Sequence, residues 1–294
     1  MNRKPLIPVL AAFLMMLTIM PAASVAEARQ QGAVYLALGD SLAVGDGATD
    51  YDRLAYVPHL YHFFHGESHG AVDQLINLGI GGETTSSFID NGQLAGALQT
   101  IAANDVAVVT FDIGGNDFLE LLRDPACQPD PSVQACQQLA GAMIGQFAGN
   151  YAFGAMRHGE YFPGILPTLQ AALAQKSDPP APLLVMTYYN PWSGTGSGSP
   201  YVKSPYEEAV DAVLFGADGV LDCSNQAGYG INDIIACAGG AMGATVADVY
   251  PPFVGKGTRL THVTELINGM PNIHPNNAGY AQIAAVFEGA YMGR

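Results

Sequence analysis

Five apolar runs, each short enough for a buried strand and separated by helix-length stretches, constrain this chain more than any other feature. They are Ala33–Leu38, Gln74–Leu78, Asp105–Ile113, Pro182–Tyr189 and, with weaker patterning, Ala244–Tyr250. The third and fourth are nearly continuous in apolar residues, as strands buried on both faces must be. Strands of this kind alternating with helices predict a mostly parallel five-stranded sheet between two helical layers, a three-layer α/β/α fold. Ser132–Arg157, Phe162–Lys176 and Pro275–Tyr291 read as helices, and in the last of them Ala278, Ile283, Val286 and Phe287 recur at helical spacing. No internal repeat and no long linker divides the chain.

The first 26 residues stand apart. Asn2-Arg3-Lys4 gives a basic start, Leu6 to Met20 is an apolar core, and Ser24-Val25-Ala26 supplies the small residues of a cleavage site. This is the pattern of a secretory signal peptide, so 1–26 is expected to be removed and 27–294 to form a single domain. The apolar run is short for a membrane span, and no cysteine follows it to carry a lipid anchor. A secreted protein, extracellular or periplasmic and without a stable membrane anchor, is the expectation.

Cleavage there leaves 268 of the 294 residues, enough for one sizeable core. With Arg3 and Lys4 gone, 9 basic residues face 26 acidic ones, a net charge near −17. Such a surface repels nucleic acid and anionic membranes, which excludes nucleic-acid partners but not neutral lipid or sugar esters. The oligomeric state is not legible. Four cysteines, Cys127, Cys136, Cys223 and Cys237, lie in the exported part, an even number that predicts two disulfides. Local pairing, Cys127 with Cys136 and Cys223 with Cys237, is favoured among the three possible schemes, because each pair brackets one turn-rich insertion. Each bridge contributes about 2–3 kcal/mol in the loop-entropy account.

The chemistry begins where the first apolar run ends, at Gly39-Asp40-Ser41-Leu42. A strand closing in a tight Gly-Asp turn presents a serine at the carboxyl edge of the sheet, where ligands bind in open parallel sheets. Serine needs a base to take its proton, and Asn272-Ile273-His274-Pro275-Asn276 offers an imidazole near the other end of the chain. Pro275 disfavours helix at His274 and is expected to start one itself, which would hold the ring near a positive helix end that favours its neutral form. Between these blocks lie the turns Asn77-Leu78-Gly79-Ile80-Gly81-Gly82-Glu83-Thr84 and Gly114-Gly115-Asn116-Asp117. In the flavodoxin-like strand order 2-1-3-4-5, the turns after the first three strands crowd together at the switch point. Ser41 would supply the nucleophile and one backbone donor, Gly82 a second backbone donor, and Asn116 an amide, around a developing oxyanion.

The four blocks, in this order, resemble the GDSL or SGNH hydrolase family, named for its Ser, Gly, Asn and His. The resemblance spans most of the exported chain, although its specific motifs occupy only short stretches. It implies that Ser41, Gly82, Asn116 and His274 are catalytic, with Ser41, Gly82 and Asn116 forming the oxyanion hole, and that no metal or other cofactor is needed. One departure stands out. The family usually places an aspartate three residues before the histidine, and that position is Pro271 here. Some relatives orient the histidine with a main-chain carbonyl instead, so the Pro271 carbonyl is expected to accept the His274 Nδ1 hydrogen bond. Asp248 and Glu265 are the rival acids.

Other patterns weigh less. Gly66-Glu67-Ser68-His69-Gly70 matches a G-x-S-x-G elbow but follows a helix end rather than a strand. His59, His62, His65 and His69 sit at helical spacings that a metal site can exploit, yet a solvated helix face is the ordinary outcome. Trp192, the only tryptophan, either lines a pocket or anchors a loop. Asp40 and Asp117 read as structural turn residues, and Ser193–Pro200 as a mobile loop at the carboxyl edge. These features predict a serine esterase on lipid or other small-molecule esters, of lipase or lysophospholipase type. The long insertion Cys127–Lys176 and the apolar Trp192, Tyr201 and Phe253 tilt the expectation toward acyl chains. A carbohydrate O-acetylesterase, or a non-catalytic carbohydrate- or surface-binding module on the same fold, is the alternative.

Overall fold

The computed structural model describes residues 32–66, 72–128, 134–194, 204–216, 220–224 and 228–294. The 1–26 leader, Glu67–Gly70 of the elbow-like motif, residues 195–200 of the glycine-serine loop and Tyr201 lie outside the described residues. Along the chain the strands are β1 (Ala33–Leu38), β2 (Val72–Asn77), β3 (Val106–Phe111), β4 (Ala155–Arg157), β5 (Glu160–Phe162), β6 (Leu183–Met186), β7 (Thr245–Ala247), β8 (Leu266–Ile267) and β9 (Met270–Pro271).

The central sheet runs in the order β2-β1-β3-β6-β7, every neighbour parallel. That is the 2-1-3-4-5 order expected, and its reversal between β1 and β3 opens the crevice at their carboxyl ends. The interior strands β1, β3 and β6 are buried almost throughout, which is why their sequences read as unbroken apolar runs. Strand β2 lies at the edge, and Asp73, Gln74 and Asn77 stand exposed there, so its apolar signal is diluted. One face of the sheet is covered by helices Tyr56–His65 and Asn277–Met292, the other by Gln93–Ala103, Ile165–Lys176 and the short turns of 231–241. Tyr56 stacks on Phe287 at 5.3 Å between centroids, joining the two helices of the first layer.

Several boundaries differ from expectation. The helix expected over Ser132–Arg157 runs from Gln134 to Ala148, loosens into a wider turn over Gly149–Phe153, and gives way to the β4–β5 hairpin. In the widened turn the Asn150 side chain faces inward and donates to Thr85 Oγ1 at 3.2 Å and Ser86 Oγ at 3.0 Å. Pro275 does not start the last helix. It forms an isolated bridge with Thr261, and the helix begins at Asn277, where Asn276 Oδ1 accepts the N–H groups of Ala278 and Gly279. The disulfides pair locally, Cys127 with Cys136 and Cys223 with Cys237. Phe253 is fully buried and stacks on Tyr189 at 4.2 Å, so it belongs to the core behind the crevice and not to its lining. Among the described residues no helix is long and apolar enough to cross a membrane.

Candidate active site

Four sequence blocks meet at the carboxyl edge of β1 and β3. Gly39 ends β1 at φ 148°, and a Cβ there would lie 2.4 Å from the Asp112 carbonyl oxygen, so only glycine lets the chain turn so close to β3. Ser41 then opens a single helical turn, Ser41–Val44, whose cap is Asp40: its Oδ1 accepts the Leu42 N–H at 2.9 Å. As the first residue of that turn, Ser41 has a backbone N–H with no intrahelical acceptor.

The second block folds as a tight turn. Gly82 sits at φ 81° with open space where a Cβ would be, so conformation rather than crowding asks for glycine. Asp117, on the helix Gly115–Arg123, holds this turn from the third block. Its carboxylate accepts the Thr85 N–H at 2.9 Å and the Thr85 hydroxyl at 2.6 Å. Burial nonetheless pushes the Asp117 carboxyl up to about 6. Asn116 donates one amide hydrogen to the Glu83 carbonyl at 3.0 Å, and its second hydrogen is left for the cavity.

The fourth block brings His274 over Ser41, with Nε2 3.0 Å from the serine Oγ. The histidine is not oriented by the Pro271 carbonyl. Asn272 Oδ1 lies 2.7 Å from Nδ1 and also accepts the His274 backbone N–H at 3.2 Å. An asparagine two residues back closes such a turn on its own, whereas Pro271 is engaged in the β8–β9 pairing. The backbone N–H can only donate, so the amide oxygen must face it. The same oxygen therefore accepts from Nδ1–H and leaves Nε2 as the unprotonated acceptor toward Ser41. Neither rival acid reaches the ring: Asp248 takes the Thr187 hydroxyl at 2.7 Å, and Glu265 lies 3.0 Å from Nδ1 of another histidine, His262. Burial, more than any helix end, lowers the His274 pKa from the usual 6.5. Asp46 opposes that shift, and His262 adds to it.

Two residues outside the motifs complete the frame. Gln93, the first residue of its helix, is buried and clamps Gly39 from both sides, accepting its N–H at 2.8 Å and donating to its carbonyl at 3.0 Å. Tyr189 donates to the Ile273 carbonyl at 2.9 Å and fixes the loop that carries His274. Neither announces itself in one sequence. A glutamine at a helix start looks like surface, and Tyr189 looks like the end of a buried strand. Asn272 did carry a signal, the habit of asparagine to bond the backbone two residues on.

Ser41, Gly82, Asn116 and His274 all line one open cavity of about 530 Å³, which Asp46, Arg123 and the tip of the β8–β9 hairpin also border. From Ser41 a second, narrow slot of about 40 Å³ runs inward between helices Gly115–Arg123 and Ser204–Phe215. Its walls include Phe118, Leu119, Val210, Leu214 and Ile231, with Trp192 bordering both spaces. Trp192 thus lines a pocket and anchors a loop at once, buried and stacked on Tyr206 at 6.1 Å. His62 and His65 stand on the exposed side of their helix, and among the described residues no three His, Cys, Asp or Glu side chains gather as a metal site would need.

A switch-point crevice with a polar floor and an apolar slot belongs to an α/β/α ester hydrolase. The family model for the GDSL-like lipase/acylhydrolase family matches residues 37–282, and the chain belongs to that family. It is a carboxylic ester hydrolase. Among solved structures it is similar to phospholipase A1 from Streptomyces albidoflavus NA297, with 17% identity, a TM-score of 0.55, and coverage of 88% of this chain and 99% of that one. It is also similar to Axe2, an acetylxylan esterase from Geobacillus stearothermophilus, with 14% identity, a TM-score of 0.48, and coverage of 89% and 96%. At 17% identity the likeness to the phospholipase A1 structure speaks for the fold alone. Among curated protein sequences none matches this chain.

Proposed function

We propose that this protein is a secreted serine esterase that carries its acyl group on Ser41 and prefers esters whose acyl group is longer than acetyl yet short enough for the narrow slot beside Ser41. The observation that carries the mechanism is the 3.0 Å approach of His274 Nε2 to Ser41 Oγ, with Nδ1 tied to Asn272. Ser41 Oγ attacks the ester carbonyl as its proton passes to Nε2. The tetrahedral oxyanion is met by the N–H groups of Ser41 and Gly82 and by the Asn116 amide. His274 then returns the proton to the leaving alcohol. In the second half it takes a proton from water, whose attack on the acyl-enzyme frees the acid and restores Ser41. His274 is held by a neutral amide, so the imidazolium formed in each half is stabilised less than a buried carboxylate would stabilise it. That makes a Ser–His dyad with an asparagine orienter.

The apolar slot beside Ser41 supports the acyl preference. A chain inserted there would meet Phe118, Leu119, Val210 and Leu214, while the alcohol would occupy the wider, mixed-polarity cavity. Each methylene buried gains about 0.8 kcal/mol, which an acetyl group hardly exploits. The two disulfides and the lack of a membrane-spanning helix among the described residues agree with an extracellular protein. In this reading residues 1–26 are a signal peptide and 27–294 a single domain. A panel of nitrophenyl esters from acetyl to palmitoyl tests the reading. A kcat/KM maximum at an acyl chain longer than acetyl, shifted to shorter chains by Leu214→Trp, supports it; a maximum at acetyl overturns the acyl preference.

A further inference from the structure

The chain that leaves the Ser41 turn runs directly to the loop of the base. Gly45 and Asp46 both donate their N–H groups to the Ser41 carbonyl at 2.9 Å, so this segment hangs from the nucleophile itself. Next along the chain, Gly47 stands at φ 95°, and a Cβ there would lie 2.8 Å from the His274 Cβ and 2.6 Å from the Pro275 carbonyl oxygen. The Gly47 backbone therefore packs against the residues of the base loop, in a conformation that asks for glycine. Side chains outside the four motifs pin this strap. Tyr280 donates to the Asp46 carbonyl at 2.7 Å, Asn277 joins Thr49 at 2.9 and 3.0 Å, and His262 Nε2 reaches the Gly47 carbonyl at 2.9 Å.

His262 differs from the other two. Tyr280 and Asn277 belong to the helix Asn277–Met292, whereas His262 donates its backbone N–H to the carbonyl of His274 itself, at 3.0 Å. One residue thus holds the strap from Ser41 with its ring and the base loop with its backbone. A carbonyl only accepts, so the ring atom facing Gly47, Nε2, carries a hydrogen. On the other side of the ring, Nδ1 lies 3.0 Å from the Glu265 carboxylate, and the Glu265 N–H returns to the His262 carbonyl at 2.8 Å. The contact that this frame serves is a single 3.0 Å approach between groups 233 positions apart in sequence. Misplacing a reacting group by about 1 Å can cost on the order of a hundredfold in rate.

We propose that His262 is a positioning residue for the Ser41–His274 pair: its Nε2–H bond to the Gly47 carbonyl seats the strap from Ser41 on the base loop and so sets the distance from Oγ to Nε2. His262 is not among the groups that line the Ser41 cavity, and it acts through Gly47 and the His274 main chain. The proposal rests on Ser41 as nucleophile and His274 as base. No motif marks His262 in the sequence; only tertiary packing brings Gly47 to its ring.

Two amide side chains separate the roles of the ring atoms. Glutamine can place its NH₂ group near the position of Nε2, and asparagine only near that of Nδ1. His262→Gln therefore keeps a donor for the Gly47 carbonyl, and His262→Asn loses it. On a short nitrophenyl ester, His262→Ala is expected to lower kcat roughly ten- to a hundredfold with little change in KM. His262→Gln recovers most of that loss, and His262→Asn does not. Labelling of Ser41 by a fluorophosphonate slows in the same order, while thermal midpoints of the glutamine and asparagine variants stay alike. Equal damage from those two variants, a loss carried by KM, or wild-type kcat in His262→Ala overturns the positioning role. So does a loss of turnover that only follows a fall in the thermal midpoint. Ser41→Ala, assayed alongside, reads the underlying chemistry by itself. Wild-type turnover there overturns the esterase reading, whereas an inactive Ser41→Ala beside an unimpaired His262→Ala overturns this proposal alone.

Discussion

The turn that carries Ser41 and the loop that carries His274 are held by different means. Behind the serine, the Gly39 backbone is clamped on both sides by Gln93, Asp40 caps the turn, and Asp112 receives the Asp40 N–H, all in the buried interior. The histidine sits in an irregular segment after β9, fixed by its own asparagine turn, by the Tyr189 hydroxyl and by one backbone bond from the His262 N–H to its carbonyl. The first arrangement couples the site to the core of the sheet. The second sets a ring angle and a tautomer with few groups, so changes there should reach the rate before they reach the fold.

That contrast can be broken or sharpened by substitution. The largest effect belongs to His274→Ala. Removing the base is expected to lower kcat/KM on the order of a thousandfold or more while the thermal midpoint stays near the wild type, measured by ester hydrolysis and calorimetry side by side. Asn272→Ala should cost roughly ten- to a hundredfold through loss of the Nδ1 partner, again with little change in stability. Asn272→Asp sharpens the point: a carboxylate at that atom favours imidazolium, so the His274 pKa rises and the acid limb of kcat/KM moves to higher pH.

On the serine side the order inverts. Gln93→Ala strips partners from the buried Gly39 N–H and carbonyl and should lower stability by about 1–3 kcal/mol in a urea titration, with a smaller effect on rate. A variant that loses turnover but no stability would show that the clamp acts on the chemistry instead. The smallest effect is electrostatic. Asp46 raises the His274 pKa against the lowering by burial, so Asp46→Asn should move the acid limb of kcat/KM to lower pH. The base works in its neutral form, and a lower pKa keeps it neutral further into acid. Movement in the opposite direction would mean that a group other than His274 sets that limb.

The two regions also differ in how well the sequence reveals them. The strands and the turn residues of the four blocks are local signals in the sequence, whereas the sheet order that gathers the blocks at one edge is no local signal and entered as the flavodoxin-like arrangement. Edge strand β2 was placed with shifted ends because Asp73 and Gln74 face solvent and dilute its pattern. Asp112 sits inside the apolar run Asp105–Ile113, where nothing local marks its role. Its partner could not be read, because the two aspartates meet only through the pairing of β1 with β3. For His274 a family habit drew attention to position 271, whereas the physics of the turn pointed to Asn272. Gln93 had no local signal at all; only tertiary packing makes a helix-start glutamine into a clamp on a strand end.

The central claim is that one hydroxyl, Ser41, becomes acylated with His274 as its base. Mass spectrometry of the protein after reaction with a fluorophosphonate measures this most directly. The account predicts a single adduct on the peptide containing Ser41, absent in Ser41→Ala and slowed by orders of magnitude in His274→Ala. An adduct on another residue, or a Ser41→Ala protein that still hydrolyses esters at the wild-type rate, would contradict it.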